Sequence, residues 1–278
     1  MMDYLYFPNY NSLFYNSNST IIDNNNINNN INNTLFNNYI LFNNYILSNS
    51  NSNSNSNNVY SFLTYLSFLF FSDMTLSLFI GKKARWFQLH ALINIIVSKL
   101  IIKDVYNIIT DPYNGYKVLD NNIPSYFILY LHLYHLIAFR NLTKYDYFHH
   151  ILFIGLGVLP DIYLMKTNQK YLAYIVCNGI PGIIEYGSLV LYKNNKIKLY
   201  TQKKLNTINY LLLRLPFCVL TCVYNYVFYN LNIIKDTFWI TFYLNFLVYF
   251  NGVFFTYLTF DSFYKYKYLN NINSIKIE

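Results

Sequence analysis

The histidines are the residues of this sequence best suited to chemistry, because an imidazole changes its charge near neutral pH and can also bind a metal. His149 and His150 are adjacent and follow Asp146 by three and four residues. On a helix, this spacing lets the Asp146 carboxylate accept a hydrogen bond from one imidazole. A histidine oriented in this way can act as a general base, taking a proton from a hydroxyl or amine as it attacks an acyl group. The pattern predicts catalytic residues at Asp146, His149 and His150.

Three further histidines and two charged residues are expected close to this pair. His132 and His135 lie one helical turn apart in the segment LHLYH, so both can face the same neighbouring helix. The short connection between LHLYH and DYFHH predicts that the two helices are antiparallel and in contact. Five residues are therefore interpreted as substrate-binding: His90, His132, His135, Glu185 and Arg214.

Other functions fit the same residues. The HxxH and HH motifs are similar to the His boxes of membrane di-iron hydroxylases and desaturases, which predicts a metal site at His132, His135, His149 and His150. Those sites use more histidines than the five of this chain, so one metal ion is easier to hold than two. A third alternative is a lipid-binding protein without catalytic activity. In the simplest structural interpretation, the imidazoles only satisfy one another and nearby carbonyl groups.

The elements that must position these residues are membrane-spanning helices. From Val59 onward, apolar segments alternate with short polar breaks, and a span needs about 20 residues at a rise of about 1.5 Å to cross the hydrocarbon. We predict an all-α integral membrane protein, a bundle of about seven transmembrane helices within residues 59–262. The predicted spans are 59–81, 86–108, 125–140, 147–165, 171–191, 207–231 and 237–260.

Composition supports a membrane location. The chain is 54% hydrophobic and only 12% charged, which is about half the charged fraction of a typical soluble domain. Its net charge of +8 would suggest nucleic acid in a soluble protein, but here the cations lie in short loops between apolar segments. We therefore expect membrane lipids and not nucleic acid as partners, and an endoplasmic reticulum or other endomembrane location.

The cations also predict an orientation. With seven spans, thirteen Lys and Arg residues fall on one side and five on the other, and the richer side is expected to be cytosolic. The five are Lys103, Lys117, Lys166, Lys170 and Lys235. This orientation places the C-terminus in the cytosol and all five histidines near the cytosolic leaflet.

The terminal segments are expected to lie outside the bundle. Residues 1–58 are rich in Asn and Ser and predict a disordered lumenal or extracellular segment, and residues 263–278 predict a short basic cytosolic tail. Asn18 and Asn32 open glycosylation sequons. Residues 1–58 contain no Lys or Arg, so we expect the first span, and not a cleaved signal peptide, to direct targeting.

Longer motifs add a family resemblance. DYFHH after a helix carrying HLYH resembles the TLC-domain superfamily of multi-span membrane proteins, which includes the ceramide synthases. The segments ARWFQLHALIN at 84–94, LHLYHLIAFRNLTKYDYFHHILFI at 131–154 and NGIPGIIEY at 178–186 resemble an uncharacterised eukaryotic branch of that superfamily. The resemblance covers roughly residues 84–217.

The resemblance implies a role in lipid metabolism. In ceramide synthases an adjacent His pair serves acyl transfer from acyl-CoA, which implies that His149 and His150 are catalytic here and that acyl-CoA is a possible cosubstrate. No other cofactor is required. Two features differ from the ceramide synthases: Phe153 occupies the position of a Thr, and no histidine follows His150.

Overall fold

The computed structural model describes residues 54–117, 122–139 and 144–275, and the regular elements in these residues are all helices. Residues up to Ser61 form a separate compact unit, of which only the start of a helix is described, so the account below concerns Phe62–Glu278. Seven long helices are described: α1 (Ser54–Phe79), α2 (Arg85–Thr110), α3 (Ile123–Ala138), α4 (Lys144–His149, His150–Val158, Leu159–Leu164), α5 (Lys170–Tyr174, Ile175–Gly179, Ile180–Lys193), α6 (Leu199–Asn209, Tyr210–Arg214, Leu215–Asn230) and α7 (Phe238–Ile275).

Five of these helices, α1 and α4 to α7, are long and apolar enough to cross a membrane. The prediction of an all-α integral membrane protein is confirmed at this level. The other two differ in kind: α2 carries four charged residues, and α3 is apolar but has only sixteen residues. The count of seven spans stays a prediction.

The ends of the chain are described only in part. The sequons at Asn18 and Asn32 and most of the predicted disordered segment 1–58 lie outside the described residues, and α1 begins at Ser54. The predicted tail from residue 263 continues α7 as helix to Ile275. With 38 residues, α7 is about 57 Å long, which is nearly twice the hydrocarbon thickness of about 30 Å.

Helix α2 lies at the centre of the packing, although it is the most charged of the long helices. Its apolar residues recur every four positions at Leu89, Ile93, Val97, Ile101 and Val105, and none of these side chains is more than 5% exposed. This stripe packs against α3 and α5. A spacing of four residues keeps the stripe on one face, which leaves the charged residues to other faces of the helix.

Helices α4, α5 and α6 each contain a π-helical segment, and each segment ends two residues before a proline. The segments are His150–Val158, Ile175–Gly179 and Tyr210–Arg214, and the prolines are Pro160, Pro181 and Pro216. A proline inside a helix donates no hydrogen bond, and its ring clashes with the carbonyl four residues earlier. That carbonyl falls within the π segment in all three helices. The prolines therefore account for the wide turns, a type often found at functional sites.

An ion pair joins the first three helices. Asp73 of α1 is fully buried and accepts hydrogen bonds from Arg85 of α2, with Nε at 3.0 Å from Oδ1, and from the Tyr134 hydroxyl of α3 at 2.9 Å. The Arg85 Nη2 also donates to the second carboxylate oxygen. Arg85, counted in the sequence as a loop cation that sets orientation, thus also holds the helices together.

Helices α6 and α7 approach closely at Gly252, which gives a stability prediction. A Cβ at Gly252 would lie 2.8 Å from the Cβ of the buried Cys218. Gly252→Ala should therefore lower the free energy of unfolding by about 1–3 kcal/mol, measured by denaturation in detergent micelles. The control is Gly187→Ala on α5, where a Cβ meets nothing within 4 Å and should stabilise the helix by about 0.5–1 kcal/mol. Equal effects at both positions would show that the contact is not tight.

Candidate functional site

The structure brings the five histidines together from three helices. His90 comes from α2, His132 and His135 from α3, and His149 and His150 from α4, and we call these residues the histidine cluster. Ring centroids lie 5.3 Å apart for His90 and His132, and 5.2 Å apart both for His132 and His149 and for His135 and His150. The rings are therefore in contact across the interface between the helices.

Each member of the adjacent pair contacts one histidine of the HxxH motif. His149 Nε2 lies 3.1 Å from His132 Nε2, and His150 Nε2 lies 3.3 Å from His135 Nδ1. The sequence places the two side chains of the pair about 100° apart around an α-helix. Both nevertheless reach α3, at the position where the wide turns of α4 begin.

The hydrogen bonds assign the protons of one histidine pair. His132 Nδ1 lies 2.7 Å from the carbonyl oxygen of Ile128, and a carbonyl only accepts, so His132 Nδ1 carries the hydrogen. The Nε2 of a neutral His132 is then an acceptor, and His149 donates its Nε2 hydrogen to it. The Nδ1 of His149 is left as a lone pair that is buried and has no hydrogen-bond partner among the described atoms. This is the state required of a general base.

Asp146 was predicted to orient this imidazole. The backbone of Lys144–His149 is helical, but the Asp146 side chain lies outside the described residues, so its role stays a prediction. In the structure, His132 accepts a hydrogen bond from the His149 imidazole, which is the role that the sequence predicts for Asp146.

Aromatic rings enclose the other side of the histidine cluster. The Trp86 ring stacks on His135 at a centroid distance of 3.4 Å, and its edge contacts His90 at 3.6 Å. His90 also stacks on Tyr186 of α5 at 4.4 Å. His90, His132 and His135 are thus packed away from solvent, each no more than 6% exposed.

Glu185 and Arg214 form a separate ion pair beside the histidine cluster. Arg214 Nη1 lies 3.5 Å from Glu185 Oε2 and donates to the Tyr210 hydroxyl at 2.9 Å, while Tyr210 donates to Glu185 at 2.6 Å. Arg214 Nη2 also donates to Asn251 Oδ1 of α7 at 2.8 Å. The ring of Phe255 contacts both Arg214 and His149, with its centroid 5.1 Å from the guanidinium carbon and 5.6 Å from the imidazole centroid. No motif in the sequence distinguishes Tyr210 or Asn251.

A cavity of about 90 Å³ lies among α4, α5, α6 and α7, and we call it the central cavity. His149 is the one member of the histidine cluster among its lining residues, and Asn251 lines the same cavity. The walls beyond His149 are largely apolar, with Phe153, Ile154 and Val158 of α4 on one side.

A second polar group lines the far end of the central cavity. We call Asp161, Gln169, Lys170 and Tyr174 the Asp161 site; each is at most 5% exposed. Lys170 Nζ lies 3.8 Å from Asp161 Oδ1, and the Tyr174 hydroxyl donates to Asp161 Oδ2. The sequence predicts that Lys170 lies in a loop, and Asp161 is not among the predicted site residues. The missed signal is an aspartate inside an apolar segment, since such a residue needs a buried partner.

No protein-family model, curated protein or solved structure matches this chain. The resemblance to the TLC-domain superfamily therefore stays a prediction.

The metal alternative has little geometric support. No group of three or more His, Cys, Asp or Glu side chains within the described ranges could hold a metal ion. The hydrogen bonds of His132 explain part of this, because one of its ring nitrogens faces the Ile128 carbonyl and the other faces His149. Both ring nitrogens of His132 are thus engaged in hydrogen bonds.

Proposed function

We propose that this protein acts on a membrane lipid held in the central cavity, by an acyl-transfer reaction in which His149 is the general base. The observation that supports this most strongly is the unpartnered Nδ1 of His149 on a residue that lines the largely apolar cavity. Hydrogen bonding to His132 fixes the ring orientation. A buried acceptor without a partner is uncommon in a folded protein, and an arriving hydroxyl or amine would supply the missing donor.

The proposed reaction follows from that geometry. A lipid hydroxyl or amine donates its hydrogen to His149 Nδ1 as its oxygen or nitrogen attacks the carbonyl carbon of an acyl thioester such as acyl-CoA. A carbon–oxygen or carbon–nitrogen bond forms, the carbon–sulfur bond breaks, and the proton passes from His149 to the leaving thiolate. The products are an acylated lipid and a free thiol. The thioester donor is taken from the TLC resemblance.

The other selected residues have supporting roles in this proposal. His132 orients His149, while His90, His135 and His150 fill the rest of the histidine cluster, and Asp146 remains a candidate for a further hydrogen bond to it. Arg214 and Glu185 act through Asn251, whose amide oxygen Arg214 holds at the wall of the cavity.

The proposal includes a membrane arrangement. We place α2 and α3 in the membrane as two further spans, which gives seven, with the histidine cluster near the cytosolic leaflet and an endomembrane location. The contacts of α2 with α3 and α5 support this, since a helix packed between two apolar helices shares their environment. The charged residues of α2 remain compatible because Asp104 is paired with Lys117 at 2.7 Å.

The decisive experiment is an analysis of lipids with and without the protein. We expect protein purified in mild detergent to carry a bound lipid, identifiable by mass spectrometry. We also expect a strain lacking the gene to accumulate a lipid precursor and lose its acylated form, and the wild-type gene to restore both. An unchanged ratio of precursor to acylated lipid would exclude the acyl-transfer reaction.

A second candidate function is lipid binding without catalysis, which the apolar walls of the cavity favour. In that case the protein would still co-purify with a lipid, but the acylation ratio would not depend on it. The two functions are therefore separated by the same pair of measurements.

A further inference from the structure

The Asp161 site holds two buried acceptors that lack hydrogen-bond donors. Asp161 Oδ1 accepts no hydrogen bond, although Lys170 Nζ lies 3.8 Å away, and Gln169 Oε1 also has no partner among the described atoms. Asp161 is 3% exposed and Gln169 is 1% exposed, and both line the central cavity. Leaving such atoms unpaired is costly, so a group that donates hydrogen bonds is expected between them.

The remaining atoms of the site are already engaged. The amide nitrogen of Gln169 donates to Asp236 at 2.8 Å, and Lys170 Nζ donates to Asn122 Oδ1 at 2.6 Å. Tyr174 donates to Asp161 through its hydroxyl. The Asp161 site thus presents hydrogen-bond acceptors to the cavity, while most of its hydrogen-bond donors already have partners.

The charges narrow the chemistry of the ligand. A carboxylate or phosphate would be repelled by Asp161 and Asp236, and an ammonium group would be attracted by these two carboxylates but repelled by Lys170. A hydroxyl group is neutral and supplies one donor, which either Asp161 Oδ1 or Gln169 Oε1 can accept.

The position of the Asp161 site determines where on the ligand the hydroxyl group lies. His149 and Asp161 lie on the same helix, twelve residues apart, which corresponds to roughly 15–18 Å because the π segment rises less per residue than an α-helix. The wall between them is largely apolar. A simple acyl chain starting at His149 would end against the two unpaired acceptors and leave both without a donor.

Building on the proposed function, we propose that the lipid held in the central cavity is polar at both ends, with a hydroxyl group that donates its hydrogen to Asp161 Oδ1 or Gln169 Oε1. Its apolar body lies along α4, and the end remote from the hydroxyl lies at His149. The Asp161 site is therefore a specificity site that selects for a remote hydroxyl group on the chain.

The test compares two probes that differ only in this group, ω-hydroxytetradecanoic acid and tetradecanoic acid, binding to the full-length protein in detergent. We expect the hydroxylated probe to bind at least about tenfold more tightly. In Gln169→Leu the preference should fall at least threefold, while the affinity for tetradecanoic acid stays unchanged.

The matched control is Thr167→Val. Thr167 donates to the same Asp236 carboxylate as Gln169 but is not among the lining residues of the central cavity, so this variant should keep the full preference. Loss of the preference in Thr167→Val would assign the effect to Asp236 and overturn the proposal. A thermal unfolding curve for each variant identifies any that fail to fold, and Gln169→Met then replaces Gln169→Leu.

The outcomes separate the two proposals. Equal binding of both probes to the wild-type protein overturns the hydroxyl site and leaves the proposed function standing. Binding of neither probe also overturns the hydroxyl site, whereas the proposed function is tested separately by the ratio of precursor to acylated lipid. A preference for a tetradecyl amine over the hydroxylated probe also overturns the hydroxyl site, because it would show that Lys170 does not repel a cation.

Discussion

His149→Gln should lower the rate of acyl transfer by about 100- to 10,000-fold, the usual contribution of a general base. Glutamine can still donate a hydrogen bond to His132, so the packing of the histidine cluster is preserved, but its amide cannot take a proton from a hydroxyl or amine. The rate is measured with purified protein in detergent, a labelled acyl thioester and the lipid identified by co-purification. The bound lipid itself should remain, because the apolar walls of the cavity are intact.

The matched control is the neighbouring residue. His150 contacts His135 and is not among the residues that line the central cavity, so His150→Gln should lower the rate much less than His149→Gln. Comparable losses in the two variants would contradict the assignment of the base to His149 and favour a pair that acts together. Wild-type activity in His149→Gln would show that His149 is not the general base.

Arg85→Met should destabilise the protein by about 3–5 kcal/mol, because it leaves the Asp73 carboxylate buried without its charged partner. The Asp73 side chain is 1% exposed and would keep only the Tyr134 and Ser77 hydroxyl groups as donors. The free energy of unfolding is measured by denaturation in mixed micelles. The double variant Asp73→Leu with Arg85→Met removes both charges, and more than half of the lost stability should return.

The control for this prediction is an exposed ion pair on α7. Asp261 and Lys265 are 2.8 Å apart, with Lys265 72% exposed, so Lys265→Met should change the stability by less than about 0.5 kcal/mol. If Arg85→Met has an effect as small as this, Asp73 is not held by an ion pair that matters to the fold.

The sequence predicts the helices well because the bilayer imposes a length on every span. Apolar segments near 171–191 and 207–231 correspond to α5 and α6 within a few residues at most ends. It also predicts that the histidines lie at one depth, because depth depends only on the number of residues from the end of a span. The structure brings all five rings into contact.

The sequence does not predict which side chains meet across helices. Contact depends on the rotation of each helix about its axis, which an interior proline changes by widening a turn. Arg214 contacts Phe255 beside the histidine cluster and pairs with Glu185. Lys170 was counted as a loop cation, yet it is buried against Asp161. Residue counting gives the depth of a side chain and not the direction in which it points.

The wide turns of α4, α5 and α6 have a mechanical consequence for the central cavity. A segment with i to i−5 hydrogen bonds, such as that from Leu159 to Ile154, can exchange single bonds with its neighbours at small energetic cost. Three of the four helices around the cavity carry such a segment, whereas α7 is continuous α-helix and its described residues include no proline. The cavity therefore has three compliant walls and one stiff wall. Ligands of different width would be accommodated by bending of α4, α5 and α6, while Asn251 keeps its position on α7.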